Sequence, residues 1–488
     1  MKICMVVEGA YPYLRGGVSS WIGDIISKMP EHEFVIQTIC AFKADGGKYL
    51  CVPPDNVSEI SEAFLDGGDT MVKRGRKSLT KREREAILSI MMGEKEDWEA
   101  IFDMLQKTPI SLYNILMGND FYEVAVEYYD AQYRRVAFSD FLWTLRSMFL
   151  PIFTILQYRY PQADVYHAIS TGYAGVVATC AGYMFGKPVI LTEHGIYTRE
   201  REEEIIRAKW TKGIYKDLWI AHFYKLSNCI YDRADRIYSL FKKARETQIE
   251  IGCDEERTKV IHNGIDFGGM QNIPGKKEGD SGINFGLIAR IVPIKDIKTM
   301  ISAFHHARET IDHIRLYIMG GWAENEDYYK ECLDLVEMLG AKDVIFTGHV
   351  NVKDHIGQMD VIMLSSISEG QPLSLLEGMA AGKACIATRV GDCFDMLAAD
   401  DPERCAGIVV PVMSVGKLAE AIMLLAVDDD LRKKMGENGR EIVFNQYQDK
   451  TMIESYREVY DEAFQINKSL EKNVSNPVSR GVFKKREH

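Results

Sequence analysis

The ten cysteines of this 488-residue chain include no Cys-x-x-Cys pair and no regular spacing, so a disulfide frame and a zinc site are both excluded. Cys180, Cys229 and Cys385 lie in apolar stretches, which predicts reduced core thiols in a cytoplasmic protein. An excess of basic charge is missing as well. Lys plus Arg number 59 against 71 Asp plus Glu, a net charge of −12, which argues against nucleic acid as a partner. No apolar run reaches the roughly 18–20 residues of a membrane span, so no transmembrane segment is expected. The strongest run, Phe141 to Leu156, is broken by Arg146 and Pro151 and reads as a buried helix, with contact at a membrane surface as the alternative. At the N-terminus, Ile3 to Val7 is too short for a signal peptide and reads as a first strand.

What the chain does have is alternation. Short apolar runs at Lys2–Val7, Phe34–Cys40, Val165–Ala168, Pro188–Thr192 and Arg236–Leu240 predict strands of one parallel α/β unit. Those at Asn284–Ala289, Arg315–Met319, Val344–Thr347, Val361–Leu364 and Ala384–Thr388 predict a second. The expected fold class is therefore α/β, with two Rossmann-like parallel-sheet domains facing a cleft. Residues 1–272 would form the first domain, with a mainly helical insertion at about 55–160, and 273–451 the second. The glycine-rich stretch Met270 to Ile283 reads as the connection between them. Ile453, Tyr456, Tyr460, Ala463 and Phe464 recur at helical spacing and predict a helix over about 452–468. Residues 469–488, ending Lys484-Lys485-Arg486, read as a frayed basic tail.

The densest chemistry follows Val361–Leu364. Glu369 and Glu377, separated by seven residues, bracket a helix start at Gln371-Pro372-Leu373. Pro372 suits the first helical position, and unpaired N–H groups with a partial positive charge make a helix start a seat for a diphosphate. Glu369 would meet sugar hydroxyls and Glu377 ribose hydroxyls. Arg290 and Lys295, just past the strand Asn284–Ala289, would hold the diphosphate and stabilise the charge that develops as it leaves. Gly16 and Gly17, between the first strand and a helix, allow a ligand close to the backbone.

These residues together resemble the retaining family-4 glycosyltransferases, whose pattern is an Arg and a Lys after the first strand of the second domain, then two Glu separated by seven residues. The resemblance continues through Ala380-Ala381-Gly382-Lys383-Ala384 and Val260-Ile261-His262-Asn263-Gly264-Ile265-Asp266, and takes in most of residues 260–450. It implies the GT-B architecture, with the last helix crossing back onto the first domain, and retention at the anomeric carbon. It also implies that Gly17 contacts the donor diphosphate, that Val350 and the loop Gly348-His349-Val350 meet the base, that Gly370 belongs to the donor loop, and that His194 faces donor sugar and acceptor. A narrower likeness, to a cytosolic transferase of exopolysaccharide synthesis, rests on Glu8 to Trp21, Thr192 to Arg201 and Ser366 to Pro372. It implies an oligo- or polysaccharide acceptor, membrane-embedded assembly proteins as partners, and recruitment to the inner face of the cell membrane.

The expected donor is a UDP-sugar (UDP-glucose, UDP-N-acetylglucosamine or UDP-N-acetylgalactosamine), with no cofactor and no metal. Asp428-Asp429-Asp430 contains the D-x-D pattern of manganese-binding transferases but precedes a helical stretch and reads as its cap. Lys73, Arg74, Arg76, Lys77, Lys81, Arg82 and Arg84 form a basic cluster at a Thr80–Glu83 capping-box pattern, read as a solvated helix face or a contact for an anionic partner. A UDP-sugar epimerase and a sugar-nucleotide-binding scaffold subunit of a membrane-associated synthase are the alternative functions.

Overall fold

The computed structural model describes residues 1–14, 16–67, 75–276, 282–398 and 402–475, with side chains to 468. Arg15, Lys73, Arg74 and the end of the predicted tail, including Lys484-Lys485-Arg486, lie outside the described residues.

The chain forms two compact units. The first comprises Met1–Ser239, Arg245–Val260 and the chain from Tyr456, and the second comprises Leu240–Ala244 and Ile261–Ser455. Strands β1 (Lys2–Glu8), β2 (Glu33–Cys40), β3 (Val57–Phe64), β4 (Val165–Ala168), β5 (Val189–Glu193), β6 (Arg236–Ser239) and β7 (Thr258–Val260) build the first unit's sheet in the order β3-β2-β1-β4-β5-β6-β7. Strands β8 (Ile283–Ile288), β9 (Ile314–Met319), β10 (Val344–Gly348), β11 (Val361–Leu364), β12 (Ala384–Thr388) and β13 (Gly407–Val410) build the second in the order β10-β9-β8-β11-β12-β13. Every pairing is parallel. β11 and β12 are buried at each position, as strands covered by helices on both faces must be.

The stretch read as a mainly helical insertion opens with β3, an edge strand whose two Ser-Glu pairs interrupt its apolar residues. Helices Lys81–Met92, Trp98–Gln106, Leu112–Leu116, Asn119–Tyr128 and Phe138–Ile155 follow. The Thr80 capping box is complete, with Thr80 and Glu83 satisfying each other's backbone N–H groups. In the basic cluster Arg76, Lys81, Arg82 and Arg84 each face a carboxylate: Glu83, Glu85, Asp97, and Asp120 with Glu123. Among the described residues no single helix is long and apolar enough to cross a membrane.

The last described helix, Asp449–Ser475, is held in the first unit by two tyrosines. Tyr460 Oη lies 2.9 Å from His167 Nδ1 and Tyr456 Oη 3.2 Å from Thr192 Oγ1, all four residues being fully buried. The segment between the units is tied into the second by backbone bonds from Ile265 N–H to Tyr447 O and from Asp449 N–H to Ile265 O, 3.0 Å each. The division thus falls at Val260/Ile261, ahead of the Met270–Ile283 stretch. None of the ten cysteines is in a disulfide.

Candidate functional site

In the second unit the strand order reverses between β8 and β11, which opens a crevice at their carboxyl ends where open α/β sheets bind ligands. The loops after these two strands are stitched together. Ile367 N–H donates to Ile294 O at 2.9 Å and Ser365 Oγ donates to Lys295 O at 2.8 Å. Lys295 ends a single 3₁₀ turn, Pro293–Lys295, and its ammonium forms an ion pair with Glu369. Ser366 Oγ donates to the same Glu369 oxygen at 2.5 Å. Both members of the pair are mostly buried, at 17% and 12% side-chain exposure, so in the crevice their charges are weakly screened. Arg290 is half exposed and pairs instead with Glu324, from the loop after β9.

Helix Leu373–Ala380 starts directly behind Glu369, with Pro372 at the N-cap and no side chain capping it. Its first N–H groups therefore remain for a ligand. Gln371, which sequence reasoning assigned to donor contact, is buried, and its side-chain amide is fully engaged within the protein. Its Nε2 donates to Asp392 Oδ2 at 2.5 Å and lies 3.1 Å from His262 Nδ1, while its Oε1 accepts from Asn263 N–H at 2.6 Å. Burial pushes the Asp392 carboxyl up to about 7, against the Gln371 hydrogen bond that lowers it. Asp392 N–H in turn donates to Gly370 O at 2.9 Å. Gly391 has φ +51°, and a Cβ there would stand 2.1 Å from Gly370 O, so the loop holding Glu369 and Gly370 rests on a turn that only glycine can make.

Glu377 lies one turn into the same helix. Burial pushes its carboxyl up to about 7, with the Lys353 charge drawing it back. Lys353 also pairs with Asp266 at 2.9 Å. Val350 follows β10 and packs, partly buried, on the same core as Leu375 and Leu376. Next to this loop the half-exposed Trp322 stacks on Tyr329 with ring centroids 4.6 Å apart.

In the first unit, Gly16 and Gly17 are exposed at the start of helix Gly17–Ser27, which has no side-chain cap. A Cβ at Gly16 would meet open space, so packing does not demand glycine there. His194 follows β5 and meets Trp21 edge to face at 4.6 Å. Its Nε2 has no hydrogen-bond partner, and burial pushes the imidazole down to about 4, so it is neutral at neutral pH. The structure thus brings Lys295, Glu369, Gly370, Gln371, Pro372 and Leu373 together in one crevice, with Arg290 turned to Glu324. Sequence reasoning missed Glu324, Gly391 and Asp392, whose relation to the site is purely tertiary. Asp428, by contrast, is the helix cap expected of it, its side chain accepting from Leu431 N–H at 2.8 Å.

Comparison with known proteins divides the chain along similar lines. Residues 1–256 match the family described as Domain of unknown function (DUF3492), and residues 273–442 match Glycosyl transferases group 1. The chain is 28% identical over 184 residues to N-acetyl-alpha-D-glucosaminyl L-malate synthase of Bacillus anthracis, covering 37% of this chain and 46% of that protein. It is 26% identical over 303 residues to an uncharacterized glycosyltransferase of Methanocaldococcus jannaschii, covering 61% of this chain and 75% of the relative. The chain therefore spans about half the length of the first of these relatives. Among solved structures, HepE of Anabaena in complex with UDP-glucose matches with a TM-score of 0.60 at 14% identity, covering 95% of this chain and all of that one. This likeness establishes the GT-B fold. The chain belongs to the DUF3492 family, and residues 273–442 of its second unit match the glycosyl transferases group 1 family.

Proposed function

We propose that the protein is a retaining, metal-independent glycosyltransferase that moves a sugar from a UDP-sugar to a growing polysaccharide. The observation that carries this reading is the Lys295–Glu369 pair at the strand-order reversal, directly before an uncapped helix start. A diphosphate seated on Leu373 and Ser374 would draw the Lys295 ammonium and the Arg290 guanidinium to itself. Glu369, released from Lys295, is then free to accept hydrogen bonds from the sugar. As the glycosidic C–O bond breaks, negative charge grows on the departing UDP, where the two cations and the helix start stabilise it. These fixed cations supply the role that a metal has in other transferases. Glu377 would meet ribose hydroxyls and the loop at Val350 the base. UDP is favoured as the carrier by the HepE complex with UDP-glucose on the same fold.

The acceptor is an exopolysaccharide on this reading. Glu8 to Trp21, Thr192 to Arg201 and Ser366 to Pro372 resemble PelF of Pel exopolysaccharide synthesis, so membrane-embedded Pel assembly proteins are the proposed partners, with the transferase in the cytoplasm beside them. Retention rests on the family resemblance and corresponds to attack by the acceptor hydroxyl on the face that UDP leaves.

The test is incubation of the full chain with UDP-glucose, UDP-galactose, UDP-N-acetylglucosamine and UDP-N-acetylgalactosamine in EDTA, with product anomers followed by NMR. UDP release from one donor, with the anomeric configuration kept, is the expected result. Interconversion of the UDP-sugars without UDP release would mean an epimerase, and UDP binding with no turnover would mean a scaffold.

A further inference from the structure

Trp322, in the loop after β9, is the one tryptophan of the second unit, the other five of the chain lying in the first. Its loop is fixed from both sides. Gly320 follows β9 so close to the end of β8 that a Cβ there would fall 1.8 Å from Ala289 O, and Ile291 N–H donates to Gly321 O at 2.9 Å. Asn325 N–H closes a turn on Trp322 O at 3.0 Å, and Glu324 within that turn holds Arg290. The indole stacks on Tyr329 with the two planes 12° apart, and Tyr329 in turn meets Phe346 of β10 edge to face at 5.4 Å. Toward β10 the six-membered ring lies against Gly348, whose φ is +72° and where a Cβ would come 3.1 Å from Trp322 Cζ3. Gly348 thus leaves room for the indole at the head of the loop Gly348-His349-Val350. Two aromatic rings and a glycine hold this side chain in place, yet 37% of it stays open to water. An indole fixed in that way is a preformed surface for another flat ring.

We infer that Trp322 is the platform on which the base of the sugar nucleotide stacks, between Arg290 on one side and the loop at Val350 on the other. The inference rests on the transferase reading, in which a nucleoside diphosphate occupies the carboxyl edge of this sheet. Arg290, Trp322 and Gly348 follow or end three neighbouring strands, β8, β9 and β10, so one ligand lying along that edge meets a cation, an aromatic plane and a loop backbone in turn. Stacking on an aromatic side chain is open to every base, since each has a π face, and its loss lowers affinity about five- to 150-fold. Trp322 therefore supplies affinity for the nucleoside, and the choice of base falls to polar groups of the Gly348-His349-Val350 loop. Glu324 stands two residues from Trp322 in the same turn, so the turn that carries the platform also carries the carboxylate that Arg290 has to leave.

Calorimetric titration of UDP and of inorganic pyrophosphate into the full chain, Trp322→Ala and Trp322→Phe tests it, with melting curves to report that both variants fold. Trp322→Ala should bind UDP at least fivefold more weakly while its affinity for pyrophosphate stays that of the wild type. Trp322→Phe, which keeps an aromatic plane, should recover most of the loss. UDP should also quench the tryptophan fluorescence of the wild type, and most of that change should vanish in Trp322→Phe. Equal UDP affinity in folded Trp322→Ala, a parallel loss for pyrophosphate as a displaced Arg290–Glu324 turn would give, no recovery in Trp322→Phe, or no UDP bound by the wild type would overturn the inference. Failure of the transferase reading has a separate signature, since UDP would then be bound through Trp322 but released from no donor.

Discussion

Lys295 and Glu369 reach each other from the loops after β8 and β11, and their ion pair sits where the second unit's strand order reverses. If the diphosphate takes over the ammonium from Glu369, Lys295→Ala removes a charge that matters most as UDP leaves. A loss of about 10²–10³ in kcat/KM for UDP release is expected, most of it in kcat. Steady-state UDP release measures it.

Arg290 is occupied by Glu324, so the diphosphate has to displace that carboxylate. Both side chains are half exposed, which keeps the pair weak. Glu324→Ala should therefore tighten UDP binding about two- to fivefold, as read by calorimetry, whereas Arg290→Ala should weaken it.

Gly391 lets the turn after β12 pass beneath Gly370. Gly391→Ala has both to hold a strained backbone and to push Gly370 O away, which displaces the loop that carries Glu369. UDP affinity should fall at least tenfold while the circular dichroism spectrum stays that of the wild type.

Gln371 joins His262 and Asn263, from the segment after β7, to Asp392. Gln371→Leu strands a buried carboxylate and a buried N–H group, each costing about 1–3 kcal/mol. Its Tm should drop by several degrees, whereas Asp392→Asn, whose amide oxygen can still accept from Gln371, should stay close to the wild type.

Glu377 and Asp392 are both pushed up to about 7 by burial, from ordinary values of 4.5 and 3.8. Between the ordinary and the raised value the folded protein binds more protons than the unfolded chain, so each group destabilises the fold progressively as pH rises through that window. Glu377→Gln removes one contribution. Its Tm relative to the wild type should therefore rise between pH 5 and pH 8, leaving the Asp392 share of the slope.

Strands buried on both faces, such as Val361–Leu364 and Ala384–Thr388, stand out in the sequence because every position but Thr388 is apolar. β3 does not, because an edge strand reading Val-Ser-Glu-Ile-Ser-Glu-Ala-Phe has water on part of its surface. The three-residue β7 is too short to show any period. Tyr456 and Tyr460 were legible as a helix face, since burial of the last helix repeats every three or four residues. Within the site, Lys295 and Glu369 could be found because each follows a recognisable strand at the sheet's carboxyl edge. The Gln371 network could not, since its partners lie 108, 109 and 21 positions away and nothing local marks them. Glu8 was legible as the end of a strand and the start of the stretch Glu8 to Trp21, whereas its donors Tyr173 and Tyr197 come from two helices far along the chain and left no local mark.

Calorimetric titration of UDP into the full chain and into Lys295→Ala, in EDTA, tests the central claim most directly. The account predicts one site in the wild type and binding at least tenfold weaker in the variant. No binding of UDP, or equal affinity in the two proteins, would contradict a diphosphate seat at the Lys295–Glu369 crevice.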